Sequence, residues 1–253
     1  MAQEDFNIQE GAIFIADSHH HSLYQNTLDS VFQELLQFSS RQIFLMGDIF
    51  DFLVGSVQQT LKDNQKTLEL LEQLSFKHEI YYFEGNHDFL LSQIPYFKNI
   101  RYFPLNAQPV CFDFGEKKAY LAHGDIFLNW HYTFYTKMIR QHFFIKFLDF
   151  FSFFLYPQIL HYLQNKKKQK QRTKNINKSL IDSDKLALLR VNKYKKNLNI
   201  SNDSYIIEGH FHWGKNVKFH QMNYIGLPFF ACKKKYFVVE YTNYCLSLIE
   251  KEL

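Results

Sequence analysis

Cysteine is scarce in this 253-residue sequence. Its three thiols, Cys111, Cys232 and Cys245, are widely scattered, a spacing that builds neither a disulfide framework nor a zinc knuckle. So little cysteine suits a reducing compartment and predicts the cytoplasm. Glycine is also sparse, nine residues against 28 Phe and 16 Tyr. Long uninterrupted apolar runs are missing. The longest candidate, Phe143 to Leu163, is broken by Lys146, Asp149 and Pro157, which makes it a poor membrane-spanning helix. The first ten residues, MAQEDFNIQE, are polar and acidic and have none of the build of a signal peptide.

What is present is enough to fold. Hydrophobic residues make up 46% of the chain and charged residues 21%, a balance that excludes global disorder and supports one large domain or one domain with an insertion. The net charge of +4 is unevenly placed. Between Lys166 and Lys178 lie seven basic residues and no acidic one; removing those seven charges leaves −3 for the remainder. The positive charge is a local feature, and it marks a candidate surface for anionic partners.

The first half alternates short apolar runs with amphipathic ones. Ala12 to Ala16, Gln42 to Met46 and Glu79 to Phe83 read as buried strands. Asn26 to Phe38 and Val57 to Leu74 carry apolar residues at helical spacing. This alternation predicts βαβ units and a parallel sheet covered by helices, with the strand C-termini, and any ligand site, along one edge. Later candidates are Val110 to Phe114, Ala119 to Ala122, Tyr205 to Glu208, Val217 to His220, Tyr236 to Glu240 and Cys245 to Ile249. The expected organisation is a core of residues 1–125 and 204–253, with 126–203 forming a helical insertion, or lid.

Five of these strands end in metal-ligand residue types. They are Asp17-Ser18-His19, Gly47-Asp48 with Asp51, Gly85-Asn86-His87-Asp88, His123-Gly124-Asp125 and Gly209-His210-Phe211-His212. Each alone is ordinary turn or cap chemistry. Together, on neighbouring strand ends, they predict one site. Asp, His and an Asn carbonyl suit divalent Mn, Fe or Zn, and the absence of Cys argues against a structural zinc site. Ligands two apart, as in Asp17/His19 and His210/His212, project to one side if the backbone is extended. Seven donors exceed the needs of one ion and fit two ions about 3.5–4 Å apart. His20, His21, His78, His142 and His161 read as surface or packing histidines.

These blocks, in this order, resemble the calcineurin-like metallophosphoesterase superfamily (DxH, GDxxD, GNHD, HGD, GHxH). The resemblance implies an α/β layered fold, a β-sandwich flanked by helices. It implies that Asp17, His19 and His212 hold one metal and Asn86, His123 and His210 the other, with Asp48 bridging. His87, next to Asn86 and oriented by Asp88, would serve the leaving group, since histidine titrates near neutrality.

Within the superfamily the sequence is similar to the UDP-2,3-diacylglucosamine hydrolases of lipid A biosynthesis. The likeness rests on Gly85 to Leu91 (GNHDFLL), the helical insertion, and Asn175 to Leu180 (NINKSL). It implies cleavage of a lipid-linked nucleotide to lipid X and UMP, manganese as the metal, and Asn175, Lys178 and Arg172 as substrate contacts. It also implies a peripheral position on the cytoplasmic face of the inner membrane. The run Lys166 to Lys178 reads as a surface for anionic lipid headgroups, with nucleic acid or a plain solvated loop as its other readings, and no nucleic-acid partner is expected. His87 stands where those enzymes carry Arg. Two rival readings share the motifs: a phosphoesterase for a soluble nucleotide or phosphoprotein, and a non-catalytic scaffold, which would be expected to lose ligands that are all present here.

Overall fold

The computed structural model describes residues 6–21, 27–152, 157–159, 161–162, 165, 183–230, 235–242 and 245–252. Its elements are strands β1 (Ile13–Ile15), β2 (Gln42–Leu45), β3 (Leu53–Val54), β4 (Glu79–Phe83), β5 (Asp88–Phe89), β6 (Arg101–Phe103), β7 (Val110–Phe114), β8 (Lys117–Ala122), β9 (Tyr205–Glu208), β10 (Trp213–Phe219), β11 (Met222–Pro228), β12 (Lys235–Thr242) and β13 (Cys245–Glu252). The longer helices are α1 (Thr27–Leu35), α2 (Gln58–Asp63), α3 (Gln65–Lys77), α4 (Trp130–Ile139), α5 (His142–Phe150) and α6 (Ser183–Asn197).

Two sheets carry the fold. The first runs β13-β12-β1-β2-β4-β6 and the second β10-β11-β9-β8-β7. Strands β1, β2, β4 and β6 are mutually parallel, as the βαβ alternation predicts, while β12 and β13 add antiparallel pairs at one edge. In the second sheet β8, β9 and β11 are parallel. An open parallel sheet is therefore not what forms. The inner faces meet, with Phe14, Phe44 and Tyr81 of the first sheet packed among Phe112, Leu121, Ile207 and Ile225 of the second. Much of the aromatic load finds its place here. Phe14, Phe44 and Tyr81 occupy matched register positions and stack at 4.4 and 4.7 Å, with Phe112 edge-on to both Phe44 and Tyr81. Such pairs contribute about 0.5–1.5 kcal/mol each beyond buried area.

Helices cover both outer faces. Leu28, Val31, Phe32 and Leu35 of α1 and Leu68, Leu71 and Leu74 of α3 bury the outward residues Ile13, Ile15, Ile43, Leu45 and Ile80. The stretch expected as one helix from Val57 breaks at Asn64. Its buried side chain turns back to the carbonyls of Thr60 and Phe52 at 2.9 and 3.3 Å, so the backbone kinks there.

The described helices of the segment 126–203 pack in two places. Ala187, Val191 and Tyr194 of α6 pack under Tyr120, Ala122, Ile206 and Tyr224, so this helix is a layer of the sandwich. Helices α4 and α5 seat Ile139 and Ile145 against Val54, Val57 and Phe89 and turn aromatics outward, Phe143 and Phe150 being 82% and 81% exposed. Among the described residues no helix is long and apolar enough to cross a membrane. Asn175, Lys178, Arg172 and the basic run lie outside the described residues.

Candidate metal centre

The parallel strands of both sheets deliver their C-terminal loops to one place. The loop after β1 is stitched to the loop after β2 by backbone bonds from Asp17 to Gly47 (3.1 Å), His19 to Asp48 (2.9 Å) and His20 to Ile49 (2.8 Å). The loop after β9 joins them where the His210 N–H donates to Asp17 Oδ2 at 2.9 Å. Three clusters of donor atoms result, each within 4.8 Å: Asp17, His19 and His212; His19, Asp48 and His87; Asp48, His123 and His210. Asp48 is common to the last two and His19 to the first two, so the clusters form one continuous site.

The ligand pairs do not converge through extended backbone. Asp17, His19, Asp48, His210 and His212 all adopt positive φ, between 42° and 59°. Left-handed conformations cost a non-glycine residue on the order of 1–3 kcal/mol each, and five of them in one site mark backbone held against its preference. Glycine makes room for the crowding. A Cβ on Gly85 would overlap the Asp48 carboxylate and one on Gly47 the His123 ring, so both positions need hydrogen in place of a side chain.

Two candidate ligand atoms are left without a hydrogen bond. Asn86 Oδ1 and His123 Nε2 are buried and make no hydrogen bond, a costly state unless something else fills it. The His123 Nδ1–H donates to the Met46 carbonyl at 2.9 Å, which leaves Nε2 as a lone-pair donor 3.5 Å from Asp48 Oδ2. The Asp51 carboxylate lies 3.5 Å from His19 Nδ1, and Phe229 stacks flat on His212 at 4.3 Å. Such backing of imidazoles is the usual outer shell of a metal site. The residues present therefore fit divalent cations.

Charge in the site follows the same logic. Burial would raise the Asp48 carboxyl, but His123, His87 and His19 hold it well below the usual carboxylate range. Asp17 is lowered too, mainly by His212 acting against burial. Burial lowers His19, and burial with His123 brings His210 down to about 3, so both are ready to ligate as neutral imidazoles. His123 goes the other way. Burial opposes its charge, yet Asp48, Asp125 and Asp17 raise it well above its ordinary value.

His87 belongs to the middle cluster, with His19 and Asp48. Its ring is 4.7 Å from that of His19, its N–H donates to Asp48 Oδ1 at 2.9 Å, and its Nδ1 meets the Asp51 carbonyl at 2.8 Å. Asp88 does not orient it. The Asp88 carboxylate instead accepts from the backbone N–H groups of Asp48 (3.1 Å), Ile49 (2.6 Å), Phe50 (3.1 Å) and Gly85 (3.0 Å) and from the Tyr82 hydroxyl (2.6 Å). It shapes the Asp48 loop and faces no reacting group. His20, His21 and His78 are buried packing histidines, and His142 is exposed. Sequence reasoning gave no roles to Asp51, Phe229, Tyr82 or the Met46 carbonyl. Of these only Asp51 left a signal, through its place in the GDxxD block.

The calcineurin-like phosphoesterase profile matches residues 12–214, a span that contains every ligand loop. The UDP-2,3-diacylglucosamine hydrolase of Aromatoleum aromaticum is 28% identical over 135 residues, 51% of this chain and 54% of that protein. The protein of the same name from Histophilus somni (strain 129Pt) is 26% identical over 174 residues, 66% of this chain and 70% of the other. The first alignment thus spans about half the length of its relative. The solved structure of Vacuolar Protein Sorting 29 from Cryptosporidium parvum is 14% identical, with a TM-score of 0.45 over 97% of this chain and 99% of that one. The chain belongs to the calcineurin-like phosphoesterase family.

Proposed function

We propose that the chain hydrolyses the pyrophosphate of UDP-2,3-diacylglucosamine, releasing lipid X and UMP, with two divalent metals, manganese by preference. The observation that carries the two-metal chemistry is the overlap of three donor clusters formed by Asp17, His19, Asp48, His87, His123, His210 and His212, with Asn86 Oδ1 and His123 Nε2 buried and making no hydrogen bond. Asp17, His19 and His212 would hold one ion and Asn86, His123 and His210 the other, with Asp48 shared between them. Bound there, the ions supply charge neutralisation for phosphate oxygens and an acidified water as nucleophile. With the ions in place, hydrolysis at the α-phosphorus would break the bond to the bridging oxygen and release UMP and lipid X. His87, with Nδ1–H committed to the Asp51 carbonyl, has Nε2 to exchange a proton with the leaving oxygen.

The lipid substrate is supported by the names of the two relatives and by the outward aromatics of α4 and α5, among them Phe134, Phe143, Phe147 and Phe150, an apolar surface for acyl chains. Arg172, Asn175 and Lys178 are the proposed headgroup contacts. The enzyme works at the cytoplasmic face of the inner membrane as a peripheral protein, through this surface and the lysine-rich run. A second reading, a soluble phosphoester substrate, draws on His87 in place of the arginine of the lipid A hydrolases. The deciding experiment measures manganese-dependent UMP release from UDP-2,3-diacylglucosamine in detergent, beside hydrolysis of an aryl phosphodiester. UMP release supports the lipid substrate. Aryl cleavage without UMP release discards it and keeps the phosphoesterase.

A further inference from the structure

Two of the ligand loops are preceded by a buried glutamate, and each glutamate is met by an arginine from the segment 126–203. Glu84 follows β4 and leads into Gly85-Asn86; Glu208 ends β9 and leads into Gly209-His210. Arg140, at the end of α4, donates from Nε to Glu84 Oε1 at 2.5 Å and from Nη2 to the Gly85 carbonyl at 3.1 Å, with its guanidinium 4.7 Å over the Phe89 ring. Arg190, on α6, grips Glu208 with two prongs at 3.0 and 2.5 Å. Its Nη1 reaches the Ile126 carbonyl at 3.0 Å, three residues beyond His123.

The remaining acceptors are filled. Tyr102 donates to Glu84, and Tyr194 and Tyr224 donate to Glu208 at 2.7 and 2.9 Å. Gln108 closes the frame. Its Nε2 donates to the Glu84 carbonyl at 2.9 Å and its Oε1 accepts the His123 N–H at 2.7 Å. Asn86, His123 and His210 thus sit on backbone that is tied, within a few bonds, to Arg140 or Arg190. Asp17 and His19 are held chiefly by the Asp48 loop, with the Asp17 carboxylate also accepting the His210 N–H at 2.9 Å. A buried carboxylate that loses its guanidinium is left uncompensated, so each loop is set by an arginine that the inserted segment alone supplies.

We infer that Arg140 and Arg190 are positioning residues that make the metal position of Asn86, His123 and His210 depend on the seating of the inserted helices. This rests on the two-metal reading of the site. Outer-shell changes weaken metal binding about 10–100-fold, and here the loss falls on one of two ions. Unseating α4 or α6 would then switch catalysis through metal occupancy, with no ligand altered.

The test is calorimetric titration of Mn2+ into metal-stripped full-length protein, comparing wild type, Arg140→Gln, Arg190→Gln and, as controls on the same helices, Lys137→Gln and Lys193→Gln. The expected result is two binding events in wild type and controls, with one event about 10–100-fold weaker in each arginine variant and the other retained. Turnover of an aryl phosphodiester by those variants should return when Mn2+ is raised. If an arginine variant fails to fold, the charge-neutral pairs Arg140→Met with Glu84→Gln and Arg190→Met with Glu208→Gln replace it. Unchanged binding of both ions in folded variants overturns the inference and leaves the two-metal reading standing. Fewer than two ions in wild type overturns both.

Discussion

His123 Nε2 lies 3.5 Å from Asp48 Oδ2, while the opposite ring nitrogen is tied to the Met46 carbonyl at 2.9 Å. The proton on Nδ1 is thereby placed, and Nε2 faces the carboxylate that joins the cluster of His123 and His210 to that of His19 and His87. Without an ion, the carboxylates around His123 favour a proton on it; with one, the proton must leave.

That competition sets a pH dependence. A group whose pKa is held above its ordinary value keeps its proton as pH falls toward neutrality, so metal binding must displace it and grows weaker at lower pH. Mn2+ affinity should rise with pH through the neutral range, with proton release on binding. Titrations in buffers of different ionisation enthalpy would reveal it. His123→Asn should flatten the dependence along with weakening the site, and an unchanged slope would remove His123 from the account.

His87→Ala should lower kcat by about 10²–10⁴-fold if the ring supplies the leaving-group proton. A substrate with a very acidic leaving group should recover much of that loss. Equal losses on good and poor leaving groups would assign His87 to binding alone.

Asp88→Ala should act on stability as well as on turnover. The substitution strands the buried backbone N–H groups of Asp48, Ile49 and Phe50 and the Tyr82 hydroxyl, while the Gly85 N–H keeps the Asp88 carbonyl. Each unsatisfied group costs roughly 1–3 kcal/mol, so urea unfolding should show a loss of several kcal/mol. Asp88→Asn, which keeps one acceptor oxygen, should fall between.

The five ligand loops could be read from the sequence because strand ends and ligand residue types share a local pattern. Their left-handed backbone could not, since Asp17 and His210 take that conformation only under contacts from distant strands. Strand β11 went unread. It lies between two strands with nearly every residue buried, so no alternation marks it, and Gly226 and Pro228 look like a turn. The pairs Arg140–Glu84 and Arg190–Glu208 join residues 56 and 18 positions apart, a distance over which side-chain partnership leaves no periodic trace.

Replacing Lys166, Lys167, Lys168 and Lys170 with Gln should reduce co-sedimentation with phosphatidylglycerol vesicles, by about 1 kcal/mol of binding for each charge near the surface. Sedimentation equal to wild type would remove the lysine run from the membrane proposal.

The central claim is two ions held about Asp48. Elemental analysis of purified, Mn2+-loaded wild type and Asp48→Ala, with aryl phosphodiester turnover measured on the same samples, tests it most directly. The account predicts two ions per chain and metal-dependent turnover in wild type, and loss of turnover with fewer bound ions in a variant whose circular dichroism is native. An Asp48→Ala protein that keeps both ions and near-normal turnover would contradict it.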